Sequence, residues 1–166
     1  ASDVYKRQGK EYVEAYYAKN KPSGKYKGCK AYEDFRDLLE KEKDLDAIKI
    51  MTPDHTHATI AIAAMNKGLH VVTHKPIANR LKEGRLVMDT VRKTGVKTHL
   101  LAWSEKPEYE MILSWINNGV IGNLQEIHNW TARPVWPQFP KAPEGSIEIP
   151  QNFNWELWLG PVPDRP

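Results

Sequence analysis

Between Asp46 and Thr73 the polar and apolar positions change period twice, and that change defines the first recognisable unit of the chain. Ala47-Ile48-Lys49-Ile50-Met51 is a short, mostly apolar run of strand length, closed by Thr52-Pro53-Asp54 as a breaker. From Thr56, which reads as an N-cap, Ala58, Ala61, Ile62, Met65 and Leu69 recur on one helical face. Gly68 stands where a helix-ending glycine belongs. Leu69 to Thr73 is then a second strand, so the unit is strand, helix, strand, and a right-handed crossover makes its two strands parallel. The pattern repeats: Arg80 to Thr94 carries Leu81, Val87, Met88 and Val91 with Gly95 as a stop, and Val96 to Ala102 returns as a strand.

Upstream, Gly9 to Asn20 predicts a helix with Tyr12, Val13, Tyr16 and Tyr17 inward, and Tyr32 to Glu42 a second with Phe35, Leu38 and Leu39 inward. Alternating helices and strands argue for an α/β fold built on an open parallel sheet. After Pro107 the character shifts: Tyr109 to Asn118 predicts a helix, Gly119 and Gly122 punctuate, and Leu124 to Thr131 predicts a longer strand. Beyond Arg133 the chain is rich in Pro and Trp and loses periodicity. A domain boundary is therefore expected within Trp103–Pro107, separating residues 1–104 from residues 105–166.

Composition narrows the possibilities. At 166 residues there is room for one ordinary domain and none for a large two-domain enzyme. A mean hydropathy of −0.63 is low for a sheet buried on both faces, which points to buried strands of a longer protein lying outside this chain. The net charge of +3 is interspersed, and the basic stretch Lys19, Lys21, Lys25, Lys27, Lys30 reads as a solvated loop, so no nucleic-acid partner is expected. Cys29 is the single cysteine, which excludes an internal disulfide. No run approaches the roughly 18 apolar residues of a membrane helix, and compartment, cytoplasmic or periplasmic, stays open. The histidines at 55, 57, 70, 74, 99 and 128 lack an accompanying cysteine or carboxylate cluster, so no metal site is expected.

In an open parallel sheet, ligands sit beyond the carboxyl ends of the strands. Two loops occupy such positions: Thr52-Pro53-Asp54-His55-Thr56-His57 and Thr73-His74-Lys75-Pro76. With Gly68-Leu69-His70-Val71 between them and His74-Lys75-Pro76-Ile77-Ala78 after, the chain resembles the glucose-fructose oxidoreductase / inositol dehydrogenase / MocA-like (Gfo/Idh/MocA) family. That family carries T-P-x-x-x-H, then G-K-H-V, then E-K-P, in this order and spacing. Asn118-Gly119-Val120-Ile121-Gly122, the Trp130 to Gln138 run and Trp155-Glu156-Leu157-Trp158-Leu159-Gly160-Pro161 are similar to segments of one bacterial branch. The likeness covers Tyr32 to Pro166. Glu105-Lys106-Pro107 is also an E-K-P, but it opens a helix instead of ending a strand.

The resemblance implies a partial Rossmann-type, doubly wound parallel sheet followed by the start of an α+β substrate domain. It implies NAD or NADP as cofactor, a sugar or cyclitol substrate, and a homo-oligomer. Thr52, Pro53 and His57 would line the nicotinamide end, with His74 and Pro76 beside it, and Lys75 would stand between nicotinamide and substrate as the catalytic residue. A lysine suits that place because its ammonium can hold a hydroxyl and help move its proton. His74 replaces the family's glutamate. Trp130, Arg133 and Trp136 are candidates on the substrate side. Asp3 either matches the acid that grips the adenosine ribose or belongs to a junction within Ala1 to Gln8.

The phosphate-cradling G-x-G-x-x-G occurs nowhere in the chain, and the family's histidine and acid partners of the lysine are expected beyond Pro166. Feeble dinucleotide affinity and no turnover are therefore expected of these 166 residues by themselves. Two other readings remain: an NAD-dependent glycosidase working through transient oxidation and elimination, and a non-catalytic module that uses the Trp- and Pro-rich tail as a protein interface.

Overall fold

A computed structural model describes residues 3–20, 28–102, 107–130, 145 and 148–164. The described chain divides into two compact units, residues 1–101 with 147–166, and residues 102–146.

The first unit is a three-stranded parallel sheet with helices. Its elements are α1 (Asp3–Asn20), α2 (Phe35–Lys41), β1 (Ala47–Ile50), α3 (His57–Asn66), β2 (His70–His74), α4 (Leu81–Thr94) and β3 (Thr98–Leu101), followed after the second unit by the short α6 (Trp155–Leu159). The strand order is β1-β2-β3 and both pairings are parallel, with Ile50 opposite Thr73 and His74 opposite Leu101. Two right-handed crossovers that step the same way along a sheet leave both connecting helices on one face.

Burial follows the sequence pattern closely in α3. Ala58, Ala61 and Met65 are buried as their spacing requires, together with Ile60 and Ala64, against Ile50 and Val71 of the strands. Met65, 1% exposed, withdraws a whole side chain from water, worth about 1.5–3 kcal/mol before ordering costs. Gly68 has φ +82°, the left-handed conformation that ends the helix and turns the chain into β2. In α4 the covered stripe runs through Gly84, Val87, Val91 and Thr94, while Leu81 and Met88, further round the helix to one side of it, are exposed.

Element bounds move where local bonds decide them. α2 starts at Phe35, not Tyr32, because the Asp34 carboxylate accepts the Arg36 backbone N–H at 2.8 Å and fixes the helix start. α1 begins at Asp3 and runs through Gly9; ion pairs one turn apart, Arg7 with Glu11 and Lys10 with Glu14, each at 3.8 Å, support that stretch. Of its expected inward residues, Val13 and Tyr17 are partly covered, whereas Tyr12 and Tyr16 are exposed.

In the second unit α5 (Pro107–Asn117) carries no buried residue. The expected strand from Leu124 is not formed: residues 124–130 pair with no strand among the described residues, and Ile127 and Trp130 stand open to solvent. A strand persists only where a neighbouring strand takes up its backbone groups. Thr131, the last residue of that expected strand, lies outside the described residues.

Candidate functional site

The two signature loops leave adjacent strands at the same level. Ile50 pairs with Thr73 across an inter-strand spacing of about 4.8 Å, and Thr52 and Lys75 each lie two residues further along the chain from that pair. Loop one, after β1, passes through Thr52 and Pro53 into a single 3₁₀ turn, Asp54–Thr56, that leads directly into α3. Thr56 is buried and its hydroxyl does not cap α3; it donates to the Pro53 carbonyl at 2.8 Å. The Thr52 and Thr56 hydroxyl oxygens are 2.7 Å apart. A hydroxyl has one proton, so with Thr56's committed to Pro53 it is Thr52 that donates between them. To any further partner the Thr52 hydroxyl oxygen, on an exposed residue, then offers lone pairs only.

Loop two begins at the end of β2. His74 is half-buried, and Lys75, whose backbone N–H donates to the Leu101 carbonyl at 3.3 Å, projects an exposed side chain that makes no hydrogen bond or ion pair among the described residues. The Lys75–Pro76 peptide is cis. Between the loops lies His57, 1% exposed. Its Nε2 is 2.7 Å from the Thr52 carbonyl oxygen and its Nδ1 is 2.6 Å from that of Pro76. The ring is therefore engaged on both sides by backbone and turned away from solvent.

A third segment, which the sequence reading did not place here, meets loop one. His55 lies with Nε2 2.5 Å from the Trp158 carbonyl oxygen and its ring 5.1 Å from the Trp158 indole, and Trp158 stacks on Trp155 at 5.3 Å and 8°. Gly160 comes so near that an added Cβ would sit 3.0 Å from the Thr56 methyl. Contacts spanning about a hundred residues leave no local pattern. The one available signal is that the Trp155–Pro161 run belongs to the family likeness.

The other expected residues are dispersed. Asp3 is the first residue of α1, and no strand precedes it among the described residues. Trp130 belongs to the second unit and is 84% exposed; Arg133 and Trp136 lie outside the described residues. Among the described residues no three His, Cys, Asp or Glu side chains gather as metal ligands, and no helix is long and apolar enough to cross a membrane.

Thr52 thus carries a hydroxyl oxygen able to accept a hydrogen bond, and Lys75 an exposed ammonium with no hydrogen bond or ion pair among the described residues. The chain contains no glycine-rich turn for the pyrophosphate.

Comparison with known proteins agrees with this geometry. The family model described as "Oxidoreductase family, NAD-binding Rossmann fold" (GFO_IDH_MocA) matches residues 3–101. The chain is similar to levoglucosan dehydrogenase of Pseudarthrobacter phenanthrenivorans, 30% identical over 123 residues, covering 68% of this chain and 31% of that protein. To inositol 2-dehydrogenase of Salmonella typhimurium it is 27% identical over 124 residues, covering 72% of this chain and 36% of the relative. The chain thus spans about a third of the length of these relatives. Among solved structures it resembles an inositol dehydrogenase homolog of Azotobacter vinelandii complexed with NADH and myo-inositol, at TM-score 0.51 and 28% identity, over 55% of this chain and 25% of that one. With a family match across residues 3–101 and a parallel sheet whose loops carry that family's signatures, the chain belongs to the Gfo/Idh/MocA oxidoreductase family, with its NAD-binding Rossmann fold.

Proposed function

We propose that this chain supplies the nicotinamide-facing part of an NAD-dependent dehydrogenase that acts on a secondary hydroxyl of a sugar or cyclitol. The observation that carries the reading is the placement of Thr52 and Lys75 at one level on neighbouring strand ends, with the Lys75 ammonium exposed and unpaired among the described residues. Bound nicotinamide supplies the hydride chemistry. Thr52 receives a carboxamide N–H and so orients the ring, with Pro53, His74 and Pro76 forming the rim. Lys75 holds the reacting hydroxyl and serves as the acid–base group for its proton, a role that depends on reach before basicity. The names of the similar proteins, levoglucosan and inositol dehydrogenases, support a polyol substrate, and the NADH complex of one of them supports NAD over NADP.

In this reading residues 1–104 furnish the dinucleotide side, with Asp3 toward the adenosine ribose, and residues 105–166 open a substrate domain in which Trp130, Arg133 and Trp136 face the polyol. The assembly is a homo-oligomer. The test is NADH formation by the gene product containing this chain, with inositols and anhydro- and free sugars as substrates. NADH production that Lys75→Ala abolishes supports the proposal. Cleavage of aryl glycosides without net NADH transfers it to the glycosidase reading, and no reaction with either class refutes both.

A further inference from the structure

His57 would be read from its sequence position as a ligand-contacting residue of loop one. Its surroundings assign it a different task. The ring is 1% exposed, so it has no face to offer a cofactor. Both nitrogens lie within hydrogen-bond distance of main-chain carbonyls, at 2.7 Å from Thr52 in loop one and 2.6 Å from Pro76 in loop two. A buried imidazole costs free energy unless its polar atoms are bonded, and an apolar side chain of similar size would fill the same space without that cost. What an apolar residue cannot do is hold two separate backbone segments with one rigid ring.

We infer that His57 is a positioning residue: a two-headed clamp that fixes the Thr52 loop relative to the Lys75–Pro76 loop and thereby sets the spacing between the Thr52 acceptor oxygen and the Lys75 ammonium. This rests on the proposal that those two groups frame the nicotinamide and the reacting hydroxyl. Thr52 is held twice: its carbonyl by His57 and its hydroxyl by Thr56. Lys75 and Pro76 are held by the Leu101 carbonyl on one side and His57 on the other. Without the ring, the hydrogen bond that remains to Lys75 and Pro76 among the described residues is the one to Leu101 in β3. The neutral ring carries one N–H and donates to one carbonyl at a time, whereas the protonated ring donates to both.

The geometry gives a test that packing alone would not pass. The side-chain nitrogen of Gln reaches the position of histidine Nε2, and that of Asn the position of Nδ1. His57→Gln therefore keeps the Thr52 contact and loses the Pro76 contact, and His57→Asn does the reverse. Amide hydrogen exchange on the ligand-free chain reads each loop through its own bonded amide, Thr56 N–H to the Pro53 carbonyl in loop one and Lys75 N–H to the Leu101 carbonyl in loop two. The clamp predicts about 10-fold faster exchange at Lys75 but not Thr56 in His57→Gln, the opposite in His57→Asn, and both in His57→Phe. In all three the Gly95 amide, bonded to the Val91 carbonyl at the far end of α4, stays at the wild-type rate.

Equal acceleration of every amide in all three variants means that His57 only fills space and overturns the inference. So does wild-type exchange at Thr56 and Lys75 throughout. If His57→Phe does not fold, the Gln and Asn pair decides alone. NADH-induced NMR shifts, measured on the same samples, address the site reading separately. If the exchange pattern appears but the chain shows no shift at either loop, the clamp stands and the nicotinamide assignment falls.

Discussion

The same substitution, Gly→Ala, made at two positions in or at the end of α4, should change stability in opposite directions. Gly84 lies inside the helix with ordinary helical dihedrals, and Gly95 ends it with φ +70° while its N–H donates to the Val91 carbonyl at 2.8 Å. A Cβ added at either position meets no atom within 4 Å, so crowding drops out and only backbone conformation differs. At Gly84, alanine removes the excess freedom of the unfolded glycine and should stabilise by about 0.5–1 kcal/mol. At Gly95, an L residue must hold the left-handed conformation, costing about 1–2 kcal/mol. The two variants should therefore differ by roughly 1.5–3 kcal/mol. With an m-value near 2 kcal/mol/M in urea, Gly84→Ala should raise the midpoint by about 0.25–0.5 M and Gly95→Ala lower it by about 0.5–1 M. Midpoints followed by circular dichroism check this. Shifts of the same sign, or a Gly95→Ala midpoint at or above wild type, would refute the conformational reasoning.

Two further outcomes follow from side chains with clear roles. Asp34→Ala removes the α2 cap and should cost about 1 kcal/mol in the same denaturation. The Arg36 guanidinium hydrogen-bonded to Asp34 holds that carboxyl below the usual carboxylate range. A carboxyl depressed in the folded state contributes its stability at neutral pH and loses it as pH falls through the lowered value, so the difference between wild type and Asp34→Ala should shrink on acidification below the ordinary carboxylate range. Lys75→Ala should leave stability within about 0.5 kcal/mol, because an exposed side chain without partners among the described residues holds nothing together, while turnover of the gene product falls about 10²-fold or more. Loss of fold in that variant would assign Lys75 a structural task instead.

The sheet from Ala47 to Leu101 and the two loops at its carboxyl ends were legible in the sequence because β1, α3, β2 and α4 each bury residues at their own period, although β3 buries none. Ala58, Ala61 and Met65 recur at helical spacing because α3 packs on β1 and β2, and the register that pairs Ile50 with Thr73 follows from the one short crossover through α3. Elsewhere the pattern had no partner to enforce it. Leu124 to Trp130 has its apolar residues Leu124, Ile127 and Trp130 at every third position, not every second, and pairs with no strand among the described residues; the Tyr12 and Tyr16 stripe of α1 remains in solvent. Side-chain roles were the least visible. Residue type and motif identify His57, but only its burial and its two carbonyl partners separate a clamp from a ligand contact. The meeting of His55 with Trp158 depends on the chain returning after the second unit, which no local rule encodes.

The central claim, that the loops after β1 and β2 receive the nicotinamide end of the cofactor, is tested most directly by mapping NADH onto the uniformly ¹⁵N-labelled chain by NMR, at concentrations up to several mM so that binding as weak as about −4 kcal/mol registers. The account predicts the largest shifts at Thr52, Thr56, His74 and Lys75, with little change at Gly68, Leu69 and Gly95–Lys97, which precede β2 and β3 at the opposite end of the sheet. Shifts concentrated at that opposite end, or none anywhere in this range, would contradict it.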